Sequence, residues 1–120
     1  MNKYKYHHLG VPTTRELPGE DYIPHLKCYA SGFEKSPFGI EWMKFDDDCT
    51  VPELVKTVPH LAFVVDNLAE AIEGKEILIK PNSPSKGINV AFIIDNGAPV
   101  ELLQFDSADS EVWPENALYR

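Results

Sequence analysis

The chain has few of the residues that bind phosphate. Arginine occurs only twice in 120 residues, at Arg15 and Arg120, so side chains suited to two-pronged binding of phosphate or carboxylate are scarce. Acidic residues outnumber basic ones by 19 to 11, which gives a formal net charge of −8. Nucleic acid and anionic membrane surfaces both require clustered positive charge on the protein. We therefore expect neither as a partner.

Long apolar runs and cysteine motifs are also missing. No window approaches the ~20 apolar residues needed to span a bilayer, and the first residues contain no apolar segment typical of a secretion signal. Cys28 and Cys49 lack the C-x-x-C spacing of redox or metal motifs, and two cysteines are too few for a disulfide framework. We expect free thiols, a cytoplasmic location and a single domain over residues 1–120.

The second half of the chain has the pattern of a βαβββ unit. The apolar run 58–65 predicts a strand buried on both faces. Asp66-Asn67 can cap a helix of about two turns that Gly74 ends, and the composition of residues 81–87 predicts a loop. Asn96-Gly97 predicts a type I′ hairpin turn. Three further strands are predicted at residues 76–80, 88–95 and 98–105.

The first half is less regular. Strands are predicted at residues 4–11, 25–33 and 39–46, and a helical turn at residues 52–55. Residues 12–24 contain three prolines and one glycine, which disfavours a long helix there. The first half is therefore expected to lack a helix equivalent to that of the second half. Whether it also lacks one strand is left open.

Two pairs of matching segments relate the halves. Residues 39–46 (GIEWMKFD) align with 99–106 (PVELLQFD) at an offset of 60, and residues 8–11 (HLGV) align with 60–63 (HLAF) at an offset of 52. The difference between the offsets fits a first half that has lost material between its strands. Each half therefore carries one histidine on its first strand and one glutamate on its last.

These histidines and glutamates predict a metal site. A glutamate with apolar neighbours on both sides is costly to bury unless it is paired or coordinated. A single His or Glu in a strand is more often a hydrogen-bonded or exposed residue, but four at repeat-equivalent positions favour metal binding. The predicted ligands are His8, Glu41, His60 and Glu101. Nitrogen and oxygen ligands of this mix suit Zn, Ni, Co, Mn or Fe(II).

Two other histidines compete for this role. Strand alternation places His7 on the face of the strand opposite to that of His8. A hairpin that sets Ala30 opposite Glu41 leaves His25 roughly 16 Å away along the strand. Neither is predicted to be a ligand.

The motifs resemble those of a known group of proteins. The paired His-Leu strands, the apolar-Glu-apolar strands, the sequence PHLAFVVDNL at 59–68 and the sequence VELLQF at 100–105 are similar to the vicinal oxygen chelate superfamily, which includes glyoxalases, bleomycin-resistance proteins and extradiol dioxygenases. The resemblance implies an α+β fold of two βαβββ modules that form a curved, partly open mixed sheet. Its parts would be an abbreviated module one at about 4–46, a linker at 47–57, module two at about 58–106 and a tail at 107–120.

The resemblance also implies an activity. The family's metal ligands fall on His8, Glu41, His60 and Glu101, a set similar to that of glyoxalase I. In such a lyase or isomerase, a divalent metal ion holds two adjacent oxygens of a small substrate and stabilises an enediolate, while a metal-bound glutamate moves the proton. Glu101 is the first candidate for this base and Glu41 the second. The family often builds its site at a dimer interface, which implies a homodimer.

Other aspects of function stay open. Scarce arginine weakens the case for glutathione or coenzyme A thioesters, which need cationic partners. The net charge of −8 favours, as an alternative, a metal-free protein that binds a cationic drug or metabolite, as the bleomycin-resistance relatives do. Ring-cleaving dioxygenases of the superfamily typically use two His and one Glu around iron, so four predicted ligands place that function last.

Overall fold

A computed structural model describes residues 3–16, 19–24 and 26–106. The predicted tail at 107–120 and the competing His25 lie outside this part of the chain. The described residues form a mixed eight-stranded sheet, curled into a half-barrel, with two short α-helices. This is an α+β fold and agrees with the glyoxalase-like description. Within these residues, no helix is long and apolar enough to cross a membrane.

Both halves of the chain contribute four strands in the same spatial order. The strands are β1 (Lys5–Pro12), β2 (Asp21–Ile23), β3 (Cys28–Ser31), β4 (Ile40–Phe45), β5 (His60–Val64), β6 (Glu76–Ser85), β7 (Ile88–Asp95) and β8 (Ala98–Phe105). The helices are α1 (Glu53–Thr57) and α2 (Leu68–Ala71), with a short 3₁₀ helix, η1, at Phe33–Lys35. The order across the sheet is β2-β3-β4-β1-β5-β8-β7-β6. The first strand of each half therefore lies at the centre and the second at an edge.

The parallel strand pairs agree with the repeat found in the sequence. In the first half, β1 runs parallel to β4 and Gly10 pairs with Glu41. In the second half, β5 runs parallel to β8 and Ala62 pairs with Glu101. The two pairs are related by the offsets of 52 and 60 residues that the sequence alignment predicts.

The junction between the halves has the same symmetry. Here β1 and β5 are antiparallel, with His8 opposite Ala62 and Gly10 opposite His60. Exchange of the halves converts each of these pairs into the other, so a pseudo-twofold axis relates the two halves at the centre of the sheet.

The helix α2 covers one face of the second half. The side chain of Asn67 accepts a hydrogen bond from the backbone N–H of Glu70 at 3.0 Å, and Gly74 takes a left-handed conformation (φ 75°) after the helix. Both were predicted, although the helix is shorter than two turns. Leu68 packs with Leu102 of β8 in one buried cluster. We call this face of the sheet the outer face and the opposite one the inner face.

The first half keeps all four of its strands. The described residues between β1 and β4 contain no α-helix, as the prolines of residues 12–24 predicted. The short strand β2 lies in this segment and pairs with β3 at the sheet edge. The loss of a strand, which the sequence left open, is therefore not found.

The predicted loop at 81–87 is instead largely strand. β6 continues to Ser85, and the turn is confined to residues 86–87. The register between β6 and β7 shifts several times along its length. β6 is an edge strand. Proline has no backbone N–H to donate, and it is tolerated here because no further strand pairs with the outer side of β6. The prediction was wrong because proline was interpreted without knowledge of the strand's position in the sheet.

The predicted register between β3 and β4 was also wrong. Ala30 pairs with Met43 rather than with Glu41. The connection between the strands contains η1 and runs from Gly32 to Gly39, so it is longer than the predicted hairpin turn.

Candidate metal centre

Four buried polar side chains lie on the inner face of the sheet. They belong to two adjacent rows of cross-strand neighbours, His8–Ala62–Glu101 and Glu41–Gly10–His60. Neighbours within a row, and alternate residues along a strand, project to the same face of a sheet. His8, Glu41, His60 and Glu101 are each at most 3% exposed. All four predicted ligands are therefore buried on one face.

Glu101 connects the two halves. Its Oε1 lies 3.2 Å from Nε2 of His8 and 3.2 Å from Nε2 of His60. The centroids of the two imidazole rings are 5.5 Å apart. One ligand atom from each of the three residues lies within 4.8 Å of the others. This group could hold a metal ion.

The environment of Glu101 keeps it ionised. Burial by itself raises the pKa of Glu101, but the interactions with the imidazoles of His60 and His8 outweigh it and lower that pKa to about 2. Burial lowers the pKa of His8 despite its contact with Glu101. A neutral imidazole and an ionised carboxylate are the protonation states that bind a metal.

Two buried atoms of the site lack a hydrogen-bond partner. They are Nε2 of His8, whose contact with Glu101 lacks hydrogen-bond geometry, and Oε2 of Glu41. An unpaired buried polar atom costs about 1–3 kcal/mol, and a divalent cation held by the group of His8, His60 and Glu101 would satisfy the nitrogen of His8. Imidazole nitrogen and carboxylate oxygen are common ligands of first-row divalent metals. The residues present therefore fit a divalent metal ion.

Glu41 lies beside the three-residue group but is not part of it. Its oxygens are not among the ligand atoms that lie within 4.8 Å of one another. Burial raises the pKa of Glu41 to about 8, although a hydrogen bond from the backbone of Phe33 acts in the opposite direction. The structure thus brings together three of the predicted ligands and places the fourth in the adjacent row of the same face.

Gly10 is a site residue that the sequence analysis missed. It faces His60, and a Cβ built on Gly10 would overlap the imidazole, with Nδ1 and Nε2 both 2.7 Å away. The equivalent position in the second half is Ala62, which does carry a Cβ. The sequence contained one signal for this role: in the aligned segments HLG (residues 8–10) and HLA (residues 60–62), glycine stands where the other half has alanine.

His7 lies beside His8, not on the opposite face. The Nδ1 atoms of the two residues are 2.7 Å apart, and the His7 ring stacks on Phe33 at 5.1 Å. The prediction was wrong because the pairing of β1 with β5 shifts register between Tyr6 and His8, and such a bulge breaks strand alternation. Burial and the neighbouring His8 lower the pKa of His7 to about 4, so the imidazole of His7 is neutral at pH 7.

The two cysteines are buried free thiols, as predicted. Burial raises the pKa of Cys28 to about 12, which keeps its thiol protonated and weakly nucleophilic at neutral pH. The thiol of Cys49 donates a hydrogen bond to the carbonyl oxygen of Leu26 at 2.9 Å. Both contribute to packing in the first half.

Comparison with known proteins identifies the fold without naming a family. No protein-family model and no curated protein matches the chain. A solved structure, that of a hypothetical protein, BH1468, from Bacillus halodurans C-125, is similar, with a TM-score of 0.64 and 18% sequence identity. The match covers 88% of this chain and 96% of that chain. At this identity the likeness shows the fold alone, and that fold is compatible with the glyoxalase-like one.

Proposed function

We propose that this protein is a metal-dependent lyase or isomerase, of the glyoxalase type, that acts on a small substrate with two adjacent oxygens. The observation that supports it most is the convergence of His8, His60 and Glu101 from both halves of the chain, buried and within 4.8 Å of one another. Burial of such polar groups costs free energy unless they are paired or bind a ligand. Buried titratable groups with perturbed pKa values also cluster at functional sites.

The proposed centre uses nitrogen from His8 and His60 and oxygen from Glu101 and Glu41. The ion is one of Zn, Ni, Co, Mn or Fe, all of which accept this donor set. When bound, a divalent ion polarises substrate oxygens and stabilises negative charge that develops on them. The protein's own contribution is to hold the ligands in place and to exclude water from a fully buried site.

The proton-transfer role goes to Glu41 in this proposal. The Oε1 atom of Glu101 already contacts two imidazoles, whereas Oε2 of Glu41 has no hydrogen-bond partner. Burial raises the pKa of Glu41 to about 8, whereas contacts with the two imidazoles lower the pKa of Glu101 to about 2, so ionised Glu41 is the stronger base toward a proton on a carbon next to a carbonyl. The sequence analysis placed Glu101 first for this role, and the contacts favour the reverse order.

A homodimer, implied by the family resemblance, is also part of the proposal. On the outer face of the central strands, Trp42 and Leu61 are 37% and 44% exposed. Large apolar side chains left open there support an interface between two copies. Sedimentation analysis at several protein concentrations tests this part.

The activity is tested by proton exchange. Protein loaded with Zn, Ni, Co, Mn or Fe(II) in separate samples is incubated with 2-hydroxyacetophenone in D₂O, and NMR follows loss of the protons next to the carbonyl. We expect exchange that needs the metal and falls at least ~100-fold in Glu41→Gln, the lower end of what general bases contribute. No metal-dependent exchange with any of the five ions would contradict the proposed activity.

Ring-cleaving oxygenation is a second candidate. The group His8, His60 and Glu101 has the two-histidine, one-carboxylate composition that binds Fe(II) in oxygenases. This function predicts that the iron-loaded protein consumes O₂ in the presence of catechol. Oxygen-electrode traces with iron-loaded and zinc-loaded protein separate the two functions.

A further inference from the structure

An apolar cavity of about 330 Å³ lies between the two halves of the chain. Its walls come from β3 and β4 on one side and from β6 and β7 on the other, and the segment that leads into α1 contributes as well. Cavities of this size hold small organic ligands.

The cavity adjoins the metal centre through two side chains. Phe92 lines the cavity, pairs with Glu101 across β7 and β8, and places its ring 5.0 Å from the ring of His60. Met43 also lines it and follows Glu41 by two residues on β4, so both side chains project to the inner face. The candidate ligands do not themselves line the cavity, so the ring of Phe92 lies between a molecule in the cavity and His60.

The cavity walls offer little to a charged ligand. Lys27 is the one charged residue among the described residues that line it. Its amino group is already paired with Asp48 at 2.7 Å and is about half exposed. The deeper wall consists of apolar side chains such as Val55, Val90 and Phe92, all buried. No cation is available there for a carboxylate or phosphate.

We propose that this cavity binds an uncharged apolar arm of the substrate, an aryl or branched alkyl group, while the two adjacent oxygens lie at the metal centre. The inference rests on the proposed function and specifies its substrate class. It separates this protein from enzymes whose substrates carry charged carrier groups, because such a group would lose its hydration in an apolar cavity without gaining a partner.

Two hydroxamates test this directly, because each binds a metal through two adjacent oxygens. Acetohydroxamate carries a methyl group and benzohydroxamate a phenyl ring. Burial of the larger apolar surface predicts that zinc-loaded protein binds benzohydroxamate at least ~10-fold more tightly. Calorimetric titration of the loaded protein gives both affinities. Equal affinities would overturn the proposal.

A pair of matched variants locates the effect. Val51 lines the cavity and is half-buried, and Val58, which is also half-buried and lies in the same connection, is not among the lining residues. Val51→Trp is expected to remove the preference for benzohydroxamate and leave acetohydroxamate affinity unchanged, which also shows that the variant folds. Val58→Trp is expected to keep the preference. A preference that survives Val51→Trp contradicts the assignment.

A metal-free experiment separates this inference from the proposed function. Toluene, which cannot chelate, is titrated into metal-free protein while NMR follows the signals of Val90 and Phe92. Shifts that Val51→Trp abolishes support the cavity as an apolar site even if neither hydroxamate binds, an outcome that would count against the proposed function alone. No toluene binding overturns the inference whatever the metal does.

Discussion

Gly10 and His60 face each other at the centre of the sheet, and the absence of a Cβ on Gly10 leaves the space that the imidazole of His60 fills. The symmetry-related pair is Ala62 and His8, where a methyl group is present. The backbone pairing of the two halves is thus symmetric, while the side chains differ by one methyl group. This difference lets His60 approach its position beside Glu101.

Gly10→Ala is therefore expected to displace His60. The added methyl group overlaps the imidazole, so we expect a loss of stability of about 1–3 kcal/mol from overpacking and a metal affinity at least ~10-fold weaker. The matched control is Ala62→Gly, which removes the equivalent methyl group. It should cost about 0.5–1 kcal/mol as a glycine in a strand and leave metal affinity unchanged. Denaturant titration and zinc competition measure both; wild-type zinc affinity in Gly10→Ala would contradict this account.

Glu41 is expected to make the stability of the metal-free protein depend on pH. Its pKa rises from 4.5 in the unfolded chain to about 8 in the folded protein, so between these values the folded state binds more protons. The free energy of unfolding therefore falls as pH rises through this range.

The informative window is pH 6.5 to 8. Below it, His7 and His8 have lowered pKa values and act with the opposite sign, since their protonation favours the unfolded chain. Within it, we expect a loss of about 1.5 kcal/mol. Denaturant unfolding in the presence of a chelator measures this loss, and Glu41→Gln should remove it. The same slope in the variant would show that another group is responsible.

His7 is expected to strengthen metal binding by orienting the imidazole of His8. Its Nδ1 lies 2.7 Å from that of His8, and a partner on the second nitrogen orients a histidine ligand. His7→Phe keeps an aromatic ring to stack on Phe33 but removes the nitrogen, so zinc affinity should fall at least ~10-fold. His7→Gln, which retains a hydrogen-bonding group, should lose less. Equal affinity for wild type and both variants would assign His7 to packing alone.

Local sequence signals predicted much of the second half. Asn96 and Gly97 adopt positive φ angles of 49° and 85°, as a type I′ turn requires. The cap at Asn67 and the left-handed Gly74 were equally local. Such features depend on residues that are neighbours in the chain, so the sequence alone contains them.

The repeat extended prediction to the site, and the remaining features depended on tertiary structure. Matching histidines and glutamates identified four buried polar residues in the described part of the inner face, because equivalent positions in a duplicated unit occupy equivalent places. The placement of His7 depends on a bulge in the pairing of β1 with β5, and the length of β6 depends on its edge position. The role of Gly10 becomes visible only when the strand opposite it is known.

The central claim is that His8, His60 and Glu101 hold a divalent metal ion. The most direct test is the metal content of protein purified without a histidine tag, measured by mass spectrometry of the elements after dialysis. We expect about one divalent ion per chain, and loss of that ion in Glu101→Gln and in a His8→Ala, His60→Ala double variant, because one ligand atom from each residue converges. Absence of a stoichiometric ion from the wild type, with unchanged metal uptake in Glu101→Gln, would contradict the account.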